Sequence, residues 1–440
     1  MTALDGTRSE LVRAAEELID PERLADIVMA MAGVPSPTGE EGELARWAVD
    51  SLTGAGIEAR YQPIDDDQGN AVARLRGDGT GPDLLLYAPI DTLTTGNPEE
   101  DLPRVGTALR YDMVPEPVRD GDYVIGLGAS NPKGHAACLV AALEILHRAG
   151  TPLRGDVVLG LGAGGMPTNK RTAAHVRRYN AGQGNGCSFM LEQGVWADYA
   201  LIAKPGWAVS WDEVGLCWFE VSVGGSYSYA GSRHRIDYRN AILGAGTVAA
   251  ALEEWFAEYT ARHTAGTVAP QGNIGAIEGG FMRMPAVSPA TCRFVLDLRT
   301  SPASTPMSVK REFADAITRI GRAHPRLDIA WDMILAIPGT ATDPESWVVR
   351  AAIEAWEAEE GRPHEPILGN SGATDANILR GRGVPTARIG MTRAGAQAPL
   401  PVDFPMGMNV VDVREMCRLT RHILRTTINT CTRTRADVGL

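Results

Sequence analysis

Long apolar runs, paired cysteines and an excess of positive charge are all missing from this 440-residue sequence. No apolar stretch approaches the roughly 18–20 residues needed to span a bilayer. The opening MTALDGTRSE has neither the basic nor the apolar region of a secretory signal. A cytoplasmic chain without a membrane partner is expected. Cys138, Cys187, Cys217, Cys292, Cys417 and Cys431 stand far apart, with no C-x-x-C among them. A disulfide framework or a zinc ribbon needs dense or paired spacings, so reduced, buried thiols are expected instead. Forty-two Lys+Arg against 54 Asp+Glu leave a formal charge of −12. A field of that sign repels phosphate backbones, which excludes nucleic acid as the main partner.

What is present is a globular composition, 44% hydrophobic and 22% charged, in a chain too long for one core. Two domains are expected. Residues 9–31 carry apolar positions at helical spacing, broken at Pro21, and Ser36 to Leu52 reads as a helix with polar capping residues at its start. Asn70 to Gly77 alternates like a strand, whereas Asp83 to Asp91 and Gly155 to Gly165 are continuous apolar runs, as in strands buried on both faces. A helix pattern from Gly134 to Ala149 lies between those two runs. Strands alternating with helices predict an α/β fold with helices flanking a mostly parallel sheet, whose ligands sit beyond the strands' carboxyl ends. Asp91, Gly164 and Gly165 fall at such ends. From about residue 208 the order becomes strand, helix, strand, strand, helix, strand, that of a split βαβ unit. The α/β pattern then resumes. The expected domains are therefore residues 1–208 with 336–440, and an inserted domain at 209–335.

Several segments carry a resemblance. PSPTGEE (35–41), LLLYAPIDT (84–92), GLGASNPKGHAA (126–137), YAG (229–231), RNAI (239–242), GAIEGG (275–280), LDLR (296–299), SGATDA (371–376) and GVPTARIG (383–390) occur in that order. Together they resemble the M20-type metallopeptidases: zinc aminoacylases, acetylornithine deacetylases, succinyl-diaminopimelate desuccinylases and carboxypeptidase G. The likeness implies a ferredoxin-like lid or dimerisation domain as the insert, and a homodimer formed through it. It also implies an amide-cleaving centre with two zinc ions about 3.5–4 Å apart.

Carried over residue by residue, that centre is altered. The His-x-Asp position reads Pro89-Ile90-Asp91, and the bridging Asp is Asn131 before Pro132-Lys133-Gly134. The two consecutive Glu are Gly164 and Gly165, the acid before proline is Lys204, and the small-domain His is Tyr229. No histidine occurs between Thr392 and Val413, where the last ligand falls. A lysine where a carboxylate met Zn²⁺ repels the metal. The expectation is a metal-free, cofactor-free enzyme on the metallopeptidase scaffold, acting on a small amino-acid-like or amide-containing metabolite. Cyclisation, amide transfer, elimination or isomerisation suits such a site better than hydrolysis.

Lys204 is then a fixed positive charge, an amine with a depressed pKa, or the ion-pair partner of Asp91. Tyr229 is a phenol donor or packing, and Asp91 an orienter or base. The expected substrate-binding set is Asn131, His135, His234 (beside Arg233 and Arg235), Arg299, Gly372 and Thr374. His135 reads otherwise as a capping residue, and His234 as part of a solvated basic turn. Two other readings remain open: a pseudoenzyme that binds a ligand or partner, and a zinc amidase with ligands relocated to His135, Asp91 and Asp375.

Overall fold

The computed structural model describes residues 6–168, 170–172, 177–179, 181–394 and 407–440. It divides into two compact units: the described residues of 1–211, 342–367 and 374–440, and Asp212–Ala341 with Leu368–Ala373. Along the chain the first unit begins with α1 (Gly6–Glu16), α2 (Pro21–Ala32), α3 (Gly42–Gly54), β1 (Glu58–Pro63), β2 (Gly69–Leu75) and β3 (Leu84–Pro89). It continues with α4 (Lys133–Arg148), β4 (Val157–Gly162), α5 (Asn185–Glu192) and β5 (Tyr199–Ala203). The second unit holds β6 (Gly215–Gly224), α6 (Ala241–His263), β7 (Gly272–Gly279), β8 (Thr291–Thr300), α7 (Pro306–Ala323) and β9 (Asp328–Ile337). The chain then adds α8 (Trp347–Glu360), α9 (Ala376–Gly381), β10 (Thr386–Ile389) and α10 (Val413–Cys431) to the first unit.

The first unit's sheet has the order β1-β2-β4-β3-β5-β10. Strands β4, β3, β5 and β10 run parallel, and β1 and β2 form an antiparallel edge. Alternation along β3 explains why its apolar run is continuous. Leu84, Leu86 and Ala88 enter the core shared with α1, α2, α4, α8 and α10, while Leu85 and Tyr87 enter a second core with α5 and α9. A strand covered on both faces has no polar side to show. Two helix starts follow local rules: Asp20 caps α2 with Pro21 at its first position, and Asp412 caps α10.

Two expectations need correction here. The polar residues 36–41 do not cap α3, which opens at Glu41 without a side-chain cap. Instead Ser36 Oγ donates to the Ile90 carbonyl and Thr38 to the Asp91 carboxylate, so the end of β3 takes the groups that a helix end would have used. The strand expected over 155–165 stops at Gly162, because Gly164 adopts φ +63° and turns the chain.

The second unit is a four-stranded antiparallel sheet, order β7-β8-β6-β9, packed with α6 and α7. Where 209–335 was expected, the compact unit runs to 341. Strand β9 pairs with β6 as far as Ile337, and Asp212–Glu213 then pairs with Thr340–Ala341. Residues 368–373 join it because the Asn370 N–H donates to the Thr267 carbonyl at 2.9 Å. A capping box, Thr305 with Ser308, and Pro306 at the first position start α7. Phe219 and Phe313 stack at 4.0 Å in this core, with Trp331 against both. Phe313→Ala should destabilise the chain by about 3–5 kcal/mol, read from the urea midpoint.

Candidate functional site

The carboxyl ends of β3, β4 and β5 bring together residues distant in sequence. After β4 the turn 164–166 presents three successive backbone N–H groups. Gly164 donates to Glu41 Oε1 at 2.9 Å, Gly165 to Asp91 Oδ1 at 2.9 Å, and Met166 to Asp91 Oδ2 at 2.8 Å. Asp91 Oδ2 also accepts from Thr38 Oγ1 at 2.8 Å, so both its oxygens are engaged. Glu41 Oε1 accepts from the Gly39 N–H, and Oε2 from Gln68 Nε2 at 3.1 Å. Both carboxyls are fully buried. Concave arrays of consecutive amides attract anions, and here the protein's own acids fill the array.

Burial governs the protonation of this cluster. Glu41 is pushed up to about 8, first by desolvation and then by the neighbouring Asp91 charge. Asp91 is pushed up by burial, with the Lys204 charge and its three donors opposing. Burial also lowers His135 to about 3. Its Nδ1 lies 2.8 Å from the Ser130 carbonyl, which only accepts, so Nδ1 carries the proton and Nε2 keeps its lone pair. That Nε2 is buried without a hydrogen-bond partner among the described residues.

Lys204 follows β5 directly. Its N–H donates to the Ile389 carbonyl at 2.9 Å, continuing the parallel pairing with β10. A Cβ at Gly390 would stand 1.7 Å from the Lys204 carbonyl oxygen, so only glycine fits there. The ammonium lies 3.4 Å from Asn131 Oδ1 on a side chain only 7% exposed. Asp91, Asn131, His135 and Lys204 thus gather in the first unit. Thr374 is also in that unit, where its Oγ1 accepts the Ala376 N–H at 3.2 Å.

The other expected residues lie in the second unit. Tyr229 is 62% exposed, and His234 is exposed on a short basic turn. Arg299 is tied to Asp297 at 2.8 Å on its own strand, and the Gly372 N–H donates to Asn370 Oδ1.

Glu41 and Lys133 were not singled out from the sequence, yet both are fully buried ionisable side chains beside these groups. The Lys133 Nζ donates to the Val34 carbonyl at 2.8 Å, and burial lowers it to about 7. One signal was available. Only four of the 42 basic residues are lysines: Lys133, Lys170, Lys204 and Lys310. In a chain that relies almost wholly on arginine, each lysine is a position where the compact, singly pointed amine stands instead of the planar fork.

The two glycines of the turn have no room for side chains. A Cβ at Gly165 would stand 2.4 Å from the Pro89 Cβ, and one at Gly164 would stand 2.0 Å from Asn185 Oδ1. Among the described residues, no three His, Cys, Asp or Glu side chains gather where they could hold a metal ion. The set of His135, Asp91 and Asp375 is not such a group among the described residues, and Asp375 accepts from Tyr87 Oη at 2.6 Å. Of the segment from Thr392 to Val413, residues 395–406 lie outside the described residues.

A raised carboxyl stabilises the fold while it is protonated. Glu41 therefore contributes fully below about 4.5, and its contribution is lost as pH rises through about 8. Wild-type melting temperature should fall between about pH 4.5 and 8 and level off above, and Glu41→Gln should flatten that fall.

Comparisons with known proteins agree with this architecture. Residues 213–325 match the family described as the peptidase dimerisation domain. Aminopeptidase PepT from Bacillus cereus is 16% identical, with 94% of this chain and 99% of that one covered and a TM-score of 0.64. Human carnosine dipeptidase 1 gives 12% identity, 97% and 99% coverage and a TM-score of 0.70. An M20 family metallo-carboxypeptidase from Sulfolobus solfataricus gives 14%, 93%, 99% and 0.67. Identities this low speak for architecture alone. The chain has the M20 peptidase fold, with a peptidase dimerisation domain at residues 213–325.

Proposed function

We propose that this protein is a metal-independent enzyme acting on a small amino-acid-like or amide-containing metabolite in the first unit's site. The observation that carries the reading is the buried Lys204 ammonium, facing the Asn131 amide at the carboxyl end of β5. A fixed cation in a poorly solvated site stabilises a carboxylate or a developing oxyanion without a metal. Asn131 offers its amide to a neighbouring substrate group.

A two-zinc centre does not fit the donors present. Proline, asparagine, two glycines and a lysine occupy the positions that the resemblance assigns to ligands and base. The turn excludes side chains at two of those positions, and the surviving aspartate spends both oxygens on protein donors. With those oxygens taken, Asp91 acts as an orienter of the turn and a counter-charge to Lys204 rather than as a base. Reactions that need charge stabilisation, such as cyclisation, amide transfer, elimination or isomerisation, suit the site better than hydrolysis. Tyr229, exposed on the second unit, is a candidate phenol donor.

A second reading, ligand binding without chemistry, draws on the same saturation: Asp91 and Glu41 are both committed to holding the turn. The two readings part on turnover. Protein produced with added zinc should retain substoichiometric metal by plasma mass spectrometry. N-acetyl amino acids and dipeptides, tested as probes, should raise the melting temperature. A ligand at 100 times its Kd adds about 2.7 kcal/mol of stability, and Lys204→Met should abolish the shift. Consumption of the bound probe supports the enzyme, and binding without consumption supports the second reading. Retained stoichiometric zinc, or no probe that binds, overturns both.

We also propose that two copies pair through residues 213–325. Tyr227, Leu243, Ile277 and Phe281 expose from 57% to 77% of their surface in this unit, apolar area that a second copy would cover. Light scattering at micromolar concentration should give twice the 47.0 kDa chain mass. A monomer mass overturns the pairing.

A further inference from the structure

Lys204 begins a loop, residues 204–211, whose two limbs both lie on β10. On the first limb Lys204 and Gly206 donate to the Ile389 and Met391 carbonyls, and on the second Ser210 and Arg388 exchange both of their backbone bonds at 2.9 and 2.8 Å. Trp207 is the apex. Its Nε1 donates to Glu360 at 2.8 Å, and its ring lies 6.3 Å from Trp356 and 5.7 Å from His422. The Arg418 guanidinium stacks over it at 4.4 Å.

The outgoing limb has further holds: the Trp211 carbonyl accepts from the Thr342 N–H at 2.7 Å, and a side chain holds Val209. The Val209 N–H donates to His364 Nε2 at 2.9 Å. His364 follows α8 closely and stands edge-on to Trp356 at 5.0 Å, with Trp211 at 6.4 Å. A ring nitrogen that accepts a hydrogen bond carries no proton, so this imidazole is neutral with its proton on Nδ1. Adding a proton at Nε2 sets one donor against another, and the bond is lost.

We infer that the neutral imidazole of His364 latches the 204–211 loop, and that its protonation frees Val209 and loosens the seat of Lys204. The charged surroundings agree with a latch that is closed at neutral pH. Burial lowers His364, with Arg362 aiding and Glu357 and Glu365 opposing. Glu357 also accepts the His364 backbone N–H at 2.9 Å. From α10, His422 and Arg418 face it only across the tryptophan rings, with Arg418 paired to Glu360. From β10, Arg388 directs its guanidinium to the Pro205 carbonyl at 2.6 Å. The inference goes beyond the proposed function, because it concerns how the loop is held whatever Lys204 does.

The test uses the full chain and follows two signals over one pH series: the His364 ring resonance by NMR and the Val209 amide by hydrogen exchange corrected for intrinsic rate. Val209 should lose about tenfold or more of its protection as the imidazole titrates, while amides within β5 stay protected. In His364→Gln, Oε1 takes the place of Nε2 and does not titrate, so protection should persist through the series. Pulsed acetylation of the four lysines reads the consequence. With Lys310 as the internal reference, His364→Ala should raise Lys204 labelling severalfold and His364→Gln should leave it unchanged. Should the alanine variant fail to fold, the wild-type and glutamine series still decide. Val209 protection that survives titration of His364, the same acid loss in His364→Gln, or unfolding before the imidazole titrates would each overturn the latch. Equal Lys204 labelling in wild type and a folded His364→Ala would overturn its link to Lys204.

Discussion

Three consecutive backbone amides, at residues 164–166, are received by two buried carboxylates, Glu41 and Asp91. The rest of the site is arranged around that exchange. It closes the end of β4 against the end of β3, and through Glu41 it draws in the loop that opens α3. Two acids buried side by side repel one another, so the amides, Thr38, Gln68 and the Lys204 charge share the work of holding them. Breaking one member of such a network strands the others, which is why buried polar clusters tend to be all or nothing.

The M20 peptidase fold was largely legible before any coordinates. The apolar run of β3 announces itself, since burial on both faces writes directly into residue choice. Boundaries were less legible where a tertiary bond outbid a local one. Ser36 and Thr38 have the chemistry of helix caps, but the carbonyl of Ile90 and the carboxylate of Asp91 claim them. The end of β4 was hidden for a related reason: glycine continues an apolar pattern as well as it breaks one, and only the φ of Gly164 separates the cases.

Within the site, the gathering of Asp91, Asn131, His135 and Lys204 followed from strand ends and resemblance. Glu41 and Lys133 did not, because a charged residue at the start of a helix reads as solvated unless its neighbours in space are known. Arg299 pairs with Asp297 two residues away on its own strand, a neighbour that the spacing already offered. The lysine count is the exception. Scarcity of one basic residue type against another is a sequence property worth reading, since two of the four lysines are buried in this site.

The contact between Pro89 and Gly165 limits substitution in the turn. A methyl group at 165 already meets the pyrrolidine ring at 2.4 Å, so a longer acid there must wait until the ring is gone. Exchanging the ring alone frees space at 165 only, because a Cβ at Gly164 would stand 2.3 Å from the Ala181 carbonyl oxygen. A side chain at either glycine is therefore admitted only when its neighbours move with it, and this corner of the fold accepts substitution as a linked set.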